Sequence, residues 1–210
     1  MRDLTFTDNI VRHTAGGFNI LGFDDTQPAG SQQTQRITIR NNLFYDINPS
    51  RWGGGLTKCF LLGQAASDVV FDRNTIDQQT TTVLAAYGQP TVRFAFTNNI
   101  ALLGQYGVMG DGSSPGNPTL AKYFPNAVFT YNALAGGTAS LYPATNSFPT
   151  VAQWNASFVD AASGDYRLLS SSTFYHAGSS GTIPGVDMAM LDSAGQIPAP
   201  PSALRIVRGL

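Results

Sequence analysis

The sequence predicts an all-β solenoid, a parallel β-helix in which one short unit is stacked repeatedly on itself. Three observations predict it: a repeated segment, the alternation of apolar residues within that segment, and a composition that disfavours helix. Each copy of the segment is a short run with apolar residues at alternate positions, and each copy ends in an asparagine. The five asparagines are Asn9, Asn42, Asn74, Asn99 and Asn132.

The spacing of these asparagines predicts a repeat with insertions. Successive asparagines are 33, 32, 25 and 33 residues apart. Apolar residues at every second position are typical of a strand with one buried face. We therefore expect one face of the repeated strand to point inward, carrying Leu4, Phe6, Ile37, Ile39, Val69, Phe71, Phe94, Phe96, Ala127 and Phe129.

Asparagine suits a sharp turn between two short strands. It tolerates the left-handed backbone conformation that such a turn imposes on one residue. Its amide can also bond the equivalent asparagine one repeat away, at the strand spacing of about 4.8 Å. The repeats thus predict a buried ladder of asparagines with a structural role. Five unrelated turn asparagines in an antiparallel sandwich are the alternative.

Composition supports a β protein and excludes two classes of partner. The chain has thirteen aspartates, no glutamate, 22 glycines and 12 prolines, which disfavours extensive helix. A net charge of −1 with 12% charged residues excludes a nucleic-acid surface that depends on bulk charge. No apolar run is long enough to span a membrane. Cys59 lies within an apolar strand, where a buried inert thiol is expected.

The repeats resemble those of right-handed parallel β-helix proteins of the pectate-lyase-like superfamily, over roughly residues 4 to 135. In that superfamily an alternating apolar run ending in asparagine recurs once per coil. A second strand of each coil is also visible, and it closes on a glycine 11 to 21 residues after the asparagine. These glycines are Gly22, Gly63, Gly88 and Gly110.

The predicted organisation has three parts. Residues 1–142 form the coils, residues 143–192 form an irregular closing segment, and residues 193–210 form a Pro-rich linker and the start of a following domain. The resemblance implies that the closing segment lays a last coil over the end of the solenoid. It also implies a fragment of a larger, secreted bacterial protein. Because the first repeat has no visible cap, self-association through it is expected.

A candidate site follows from residues at equivalent positions after each asparagine. Three residues on are Arg12, Tyr45, Asp77 and Leu102, and four residues on are His13, Asp46, Gln78 and Leu103. Equivalent residues of stacked strands lie about 5 Å apart, so the polar members are expected to converge on one patch. The predicted catalytic residues are Arg12, His13, Asp46 and Asp77. The predicted substrate-binding residues are Tyr45, Arg51, Trp52 and Lys58, and the predicted metal ligands are Asp24 and Asp25.

These residue types suit cleavage of an extended polysaccharide. Histidine or arginine can remove the C5 proton of a uronate that Ca²⁺ neutralises, as in a lyase, while tryptophan stacks on a sugar ring. Without a metal, two aspartates can act as acid and base in glycoside hydrolysis. A non-catalytic module that binds glycans or has a structural role is the alternative of another class.

The residues of the predicted patch also have a purely structural interpretation. They can be solvated residues at strand ends, and Arg40 with Asp72 is expected to form such a surface pair of little energetic value. His176 is expected to be structural as well.

Overall fold

The computed structural model describes residues 1–54 and 58–194, and most of the regular structure in this part is β. Strands β1 to β16 and helices α1 to α4 are numbered in chain order. Sheet A consists of β1 (Arg2–Thr7), β4 (Gln35–Arg40), β7 (Ser67–Asp72), β10 (Ala95–Thr97) and β13 (Val128–Thr130). Sheet B consists of β2 (Ile10–Thr14), β5 (Leu43–Ile47), β8 (Thr75–Gln78), β11 (Ile100–Leu102) and β14 (Ala133–Ala135). Sheet C consists of β3 (Asn19–Leu21), β6 (Lys58–Gly63), β9 (Thr82–Tyr87) and β12 (Gly107–Gly110).

Within each of these sheets, every strand pairs in parallel with the equivalent strand of the next repeat. In sheet A, for example, Leu4 pairs with Ile37 and Ile37 pairs with Val69. This confirms the predicted parallel pairing, and antiparallel pairing between the repeated segments does not occur. The architecture is consistent with an all-β parallel solenoid.

The three sheets share one core. Phe44 of sheet B and Phe71 of sheet A both pack against Phe60 of sheet C, with ring centroids 5.1 Å and 4.9 Å apart. Seven of the ten residues predicted to point inward are buried: Ile37, Ile39, Val69, Phe71, Phe94, Phe96 and Phe129. Phe6 and Ala127 are partly buried against the same core. Leu4 is 36% exposed, because its strand β1 has a neighbour on one side only.

The predicted asparagine ladder is present. Each ladder asparagine donates its backbone N–H and its side-chain amide to the Oδ1 of the next one, as Asn42 does to Asn74 at 3.1 Å and 3.0 Å. Asn9 is partly buried and the four asparagines after it are fully buried. The ladder extends to a sixth member that the repeat pattern missed, because Asn132 bonds Asn146 in the same way.

The turn conformation differs from the prediction. The left-handed residue is the one before each of the five predicted asparagines, with φ between 52° and 60° at Asp8, Asn41, Arg73, Asn98 and Tyr131. Arginine and tyrosine are uncommon in this region. The ladder asparagine therefore stabilises the turn through the hydrogen bonds of its amide. It does not itself adopt the left-handed conformation.

Two parts of the chain follow the last repeat. Around Asn146, Tyr142 and Phe148 stack at the end of the aromatic core. After them come α3 (Val151–Asn155), the antiparallel pair β15 (Phe158–Asp160) and β16 (Asp165–Leu168), and α4 (Met188–Ala194). The other two helices are α1 (Pro49–Trp52) and α2 (Asn117–Tyr123). No helix in residues 1–54 and 58–194 is long and apolar enough to cross a membrane.

Residues 151–194, called the flanking segment below, lie along the outer face of sheet B. Their side chains Trp154, Phe158 and Phe174 form a second apolar cluster with the outward-facing Leu43 and Ile100. Backbone bonds fix the contact further, since the N–H of Val186 donates to Thr75 Oγ1 at 3.0 Å. The predicted closing segment is residues 143–192. Of these, Phe148 stacks with Tyr142 at the end of the core, and the flanking segment packs along a side of sheet B. The predicted linker beyond α4 lies outside the described residues.

Candidate functional site

A bulge in β5 places Asp46 beside Asp77. Phe44 pairs with Ile76 and Ile47 pairs with Gln78, so Tyr45 and Asp46 together lie opposite the single residue Asp77. Asp46 has a φ of 51°, in the left-handed region. Such a bulge interrupts the alternation of a strand and redirects side chains. As a result, the side chains of Tyr45, Asp46 and Asp77 meet on the outer side of sheet B.

The neighbouring strand β2 supplies the partners that the repeat alignment predicted. Arg12 pairs in register with Tyr45, and its Nη1 donates to the Tyr45 hydroxyl at 2.7 Å. His13 also has a left-handed backbone, with a φ of 58°, and its Nδ1 lies 2.7 Å from Asp46 Oδ2. Positional stacking along the solenoid therefore brings these four residues together as expected.

The short helix α1 positions two more predicted residues. Asn48 caps the helix by accepting the N–H of Arg51 at 3.1 Å, and Pro49 occupies its first turn. Trp52 then directs its Nε1 to Asp46 Oδ2 at 3.0 Å. Arg51 lies over the Trp52 ring at 5.0 Å, and its Nη1 is 3.6 Å from the same carboxylate oxygen.

These contacts favour the ionised form of Asp46. Partial burial opposes ionisation, but the hydrogen bonds from His13 and Trp52 and the charge of Arg51 outweigh it and lower the pKa of Asp46. All three partners contact Oδ2. A reacting group can therefore approach Asp46 Oδ1 without displacing any of them.

Asp77 has the opposite electrostatic environment. Burial raises its pKa, and the nearby charge of Asp46 raises it further. The Tyr166 hydroxyl donates to Asp77 Oδ2 at 2.5 Å and lowers the pKa, but by less than burial raises it. Burial and the neighbouring Asp77 also raise the pKa of Tyr166, so its phenol keeps the proton that it donates. The two carboxyl groups of the site thus favour different protonation states.

One open cleft of about 370 Å³ connects these groups. Five of the predicted site residues line it: His13, Tyr45, Asp46, Arg51 and Asp77. Arg12 donates a hydrogen bond to Tyr45, and Trp52 donates one to Asp46, so both contact residues that line the cleft. The remaining wall comes from Ile47, Gln79, Ala161, Ala162 and Tyr166, which were not among the predicted site residues.

Three predicted site residues lie elsewhere. Lys58 is the first residue of β6 in sheet C and lines a separate cavity of about 320 Å³ together with Tyr106 and Asp111. Asp24 accepts hydrogen bonds from Thr26 and Gln27 within its own turn, which lowers its pKa. Asp25 lies beside Tyr87, the last residue of β9 in sheet C.

Asp25 accepts hydrogen bonds from Gln64 at 2.7 Å and from the Tyr87 hydroxyl at 2.6 Å. Burial and this contact raise the pKa of Tyr87 to about 12. The described part of the chain contains no group of three or more His, Cys, Asp or Glu side chains arranged to hold a metal ion. A metal role for Asp24 and Asp25 therefore stays a prediction.

The structural interpretations of other residues agree with their surroundings. Arg40 forms the expected pair with Asp72, at 3.2 Å. Cys59 is buried, and burial raises the pKa of its thiol, which disfavours a nucleophilic role. His176 Nδ1 contacts the backbone oxygen of Gly181 at 3.0 Å within the flanking segment. Leu102, which ends the polar strip, packs beneath that segment.

Comparison with protein-family models, with curated proteins and with solved structures finds no match to this chain. The inference of function therefore rests on the geometry of the cleft.

Proposed function

We propose that this protein hydrolyses glycosidic bonds of an extended polysaccharide, with Asp77 as general acid and Asp46 as the ionised partner. The observation that carries the proposal is that one open cleft holds two carboxyl groups with different contacts. His13, Trp52 and Arg51 contact Asp46 Oδ2 and lower its pKa, whereas Asp77 accepts the Tyr166 hydroxyl and burial raises its pKa. Two carboxyl groups whose surroundings separate their pKa values are a recurring arrangement for acid and base roles. Glycoside hydrolysis requires one group of each kind on either side of the scissile bond.

The two roles follow from the contacts of each carboxyl group. Asp77, which burial favours in the protonated state, donates its proton to the leaving sugar oxygen. Asp46, held ionised by His13, Trp52 and Arg51, uses its Oδ1 to activate the attacking water. Tyr45 and Trp52 supply aromatic surface beside the cleft for sugar rings.

A lyase is the second candidate, favoured by the hydrogen bond between His13 and Asp46. A carboxylate that holds Nδ1 orients the imidazole and leaves its other nitrogen to face the substrate, as removal of a sugar C5 proton requires. Arg12 and Arg51 are then available to neutralise a uronate carboxylate. In this chemistry Ca²⁺ would neutralise the uronate, and Asp24 and Asp25 stay its predicted ligands.

The finer fold identity is part of the same proposal. We infer a right-handed parallel β-helix of the pectate-lyase-like kind, because the first four repeats pass through sheets A, B and C in turn and each carries one ladder asparagine. Parallel crossover connections are right-handed in about 98% of cases. A secreted bacterial origin and a polysaccharide partner rest on this resemblance. Analogy of fold supports a glycan ligand more than it supports catalysis.

A screen of neutral and uronate polysaccharides tests the proposal. Two products are measured together: new reducing ends, and the ultraviolet absorbance of an unsaturated sugar. We expect reducing ends without the absorbance. His13→Ala and Asp46→Ala should abolish turnover and leave the fold intact, whereas Asp3→Ala, which removes an exposed carboxylate of sheet A, should leave the rate unchanged.

Other outcomes of the screen overturn the hydrolase assignment. An unsaturated product favours the lyase. Binding without any cleavage favours the non-catalytic glycan module. Full activity in both the His13 and the Asp46 variants refutes the site itself.

A further inference from the structure

The flanking segment contributes a polar contact to the cleft that the repeats do not supply. Tyr166 lies on β16, and its hydroxyl reaches Asp77 on β8, 89 residues earlier in the chain. The ring is fixed on two sides, by Phe158 at 5.0 Å and by Tyr45 at 5.6 Å between centroids. The phenol is buried and lines the cleft, so it is a fixed neighbour of the proposed acid.

Building on the hydrolase function above, we propose that Tyr166 is the positioning residue for Asp77: its hydroxyl holds Oδ2 and leaves Oδ1 to deliver the proton to the substrate. A carboxyl group can rotate and present either oxygen, and a donor at Oδ2 favours one arrangement. Because a donor stabilises a carboxylate more than a carboxylic acid, the same bond strengthens as Asp77 loses its proton. In that step the Oδ1–H bond breaks, the leaving sugar oxygen gains the proton, and Tyr166 keeps its own.

Burial and the tyrosine thus act in opposite directions on the same group. Burial favours the protonated form of Asp77, while the Tyr166 hydroxyl stabilises the carboxylate that forms when the proton leaves. The groups that face Asp77 are Tyr166 from the flanking segment and Asp46 from the adjacent strand. The flanking segment is therefore a functional part of the cleft as well as a cover for sheet B.

Tyr166→Phe tests this role, because phenylalanine keeps the ring and removes the hydroxyl. The ionisation of Asp77 is followed by NMR titration of ¹³C-labelled aspartate carboxyls in the full chain, with the signal assigned from Asp77→Asn. We expect a higher pKa for Asp77 in Tyr166→Phe than in the wild type. Tyr175→Phe, a control in the same segment whose ring contacts His176, should leave the titration of Asp77 unchanged.

Turnover provides the second measurement. In Tyr166→Phe, kcat should fall about tenfold, a part of the 10²–10⁴-fold that a positioned proton donor contributes, with little change in KM. The basic limb of the pH–rate profile should move to higher pH. A fluorinated tyrosine at position 166 is a stronger donor and should move both the Asp77 titration and this limb to lower pH.

The outcomes separate this inference from the proposed function. An Asp77 titration that is identical in wild type, Tyr166→Phe and the fluorinated variant overturns the role of Tyr166, even if the wild type cleaves glycans. If the Asp77 titration shifts as expected but the protein cleaves no glycan, the contact between Tyr166 and Asp77 is supported and the hydrolase function is overturned.

Discussion

Asn74 gives Asn99 two hydrogen bonds, one from its backbone N–H and one from its side-chain amide, and both reach the Asn99 Oδ1 at 2.9 Å. The amide of Asn74 also donates to the backbone oxygen of Ile39 at 2.9 Å. One buried side chain therefore satisfies groups in two neighbouring repeats. The ladder links the turns of successive repeats, as the paired strands link successive repeats within each sheet.

Asn74→Ala should destabilise the fold by about 1–3 kcal/mol. The substitution removes the acceptor for the backbone N–H and side-chain amide of Asn42, and leaves buried polar groups without partners. Denaturant titration measures the loss. Asn155→Ala, at an exposed position at the end of α3, is the control and should have little effect. A melting temperature unchanged in Asn74→Ala would contradict a structural role for the ladder.

Phe96→Ala should cost about 3–5 kcal/mol, because it empties a fully buried position. Its ring packs between Phe71 and Phe129, with centroids 5.9 Å and 5.2 Å away. Val128→Ala on the adjacent strand β13, where the side chain is 52% exposed, should change stability by less than about 0.5 kcal/mol. Equal losses in the two variants would argue against an inward-facing Phe96.

The repeated strand could be predicted from the sequence because its signal is local and occurs five times. Alternation fixes which residues point inward, and the asparagine marks each turn. The sixth ladder residue could not be found in this way. Asn146 follows Asn132 after 14 residues, and no alternating apolar run precedes it.

Half of the residues that line the cleft were also predicted from the sequence. Counting from each asparagine predicted that His13 and Asp46 meet, because equivalent residues of parallel strands lie in register. Asp77 joins them through the bulge in β5, which the count did not predict. Lys58, predicted to bind substrate, lies outside the cleft because it begins a strand of another sheet. Tyr166 could not be predicted from the repeats, because its contact with Asp77 depends on how a non-repeating segment packs on sheet B. No short-range pattern in the sequence encodes that packing.

Asp77→Asn should become stabilising relative to wild type as the pH rises. The folded-state pKa of Asp77 lies above its ordinary value of 3.8. The contribution of Asp77 to the free energy of unfolding is therefore fully present below about pH 3.8 and is lost as the pH rises through the folded-state pKa. Asparagine stays neutral and can still accept the Tyr166 hydrogen bond. Melting temperatures from acid to neutral pH measure the difference between variant and wild type.

Asp46→Asn provides the comparison of opposite sign. The folded-state pKa of Asp46 is lowered, so its stabilising contribution is present above the ordinary value and is lost as the pH falls through the folded-state pKa. This variant should become less stable than wild type as the pH rises. Parallel curves for the two variants would contradict the opposite environments of Asp46 and Asp77.

Trp52→Phe should move the acid limb of the pH–rate profile to higher pH. The substitution keeps an aromatic ring beside His13 but removes the Nε1 donor that favours ionised Asp46. Trp52→Ala removes the ring as well and should also raise KM. An acid limb that stays in place in both variants would show that Trp52 does not influence the ionisation of Asp46.

The most direct test of the account compares Asp77→Asn and Asp46→Asn on a cleaved oligosaccharide with either its natural sugar leaving group or an activated aryl leaving group. An activated leaving group departs without a proton. The account predicts that Asp77→Asn loses about 10²–10⁴-fold on the natural substrate and keeps most of its activity on the aryl substrate. Asp46→Asn should be impaired on both. Equal losses on the two substrates for Asp77→Asn, or wild-type activity on the natural one, would contradict its role as the general acid.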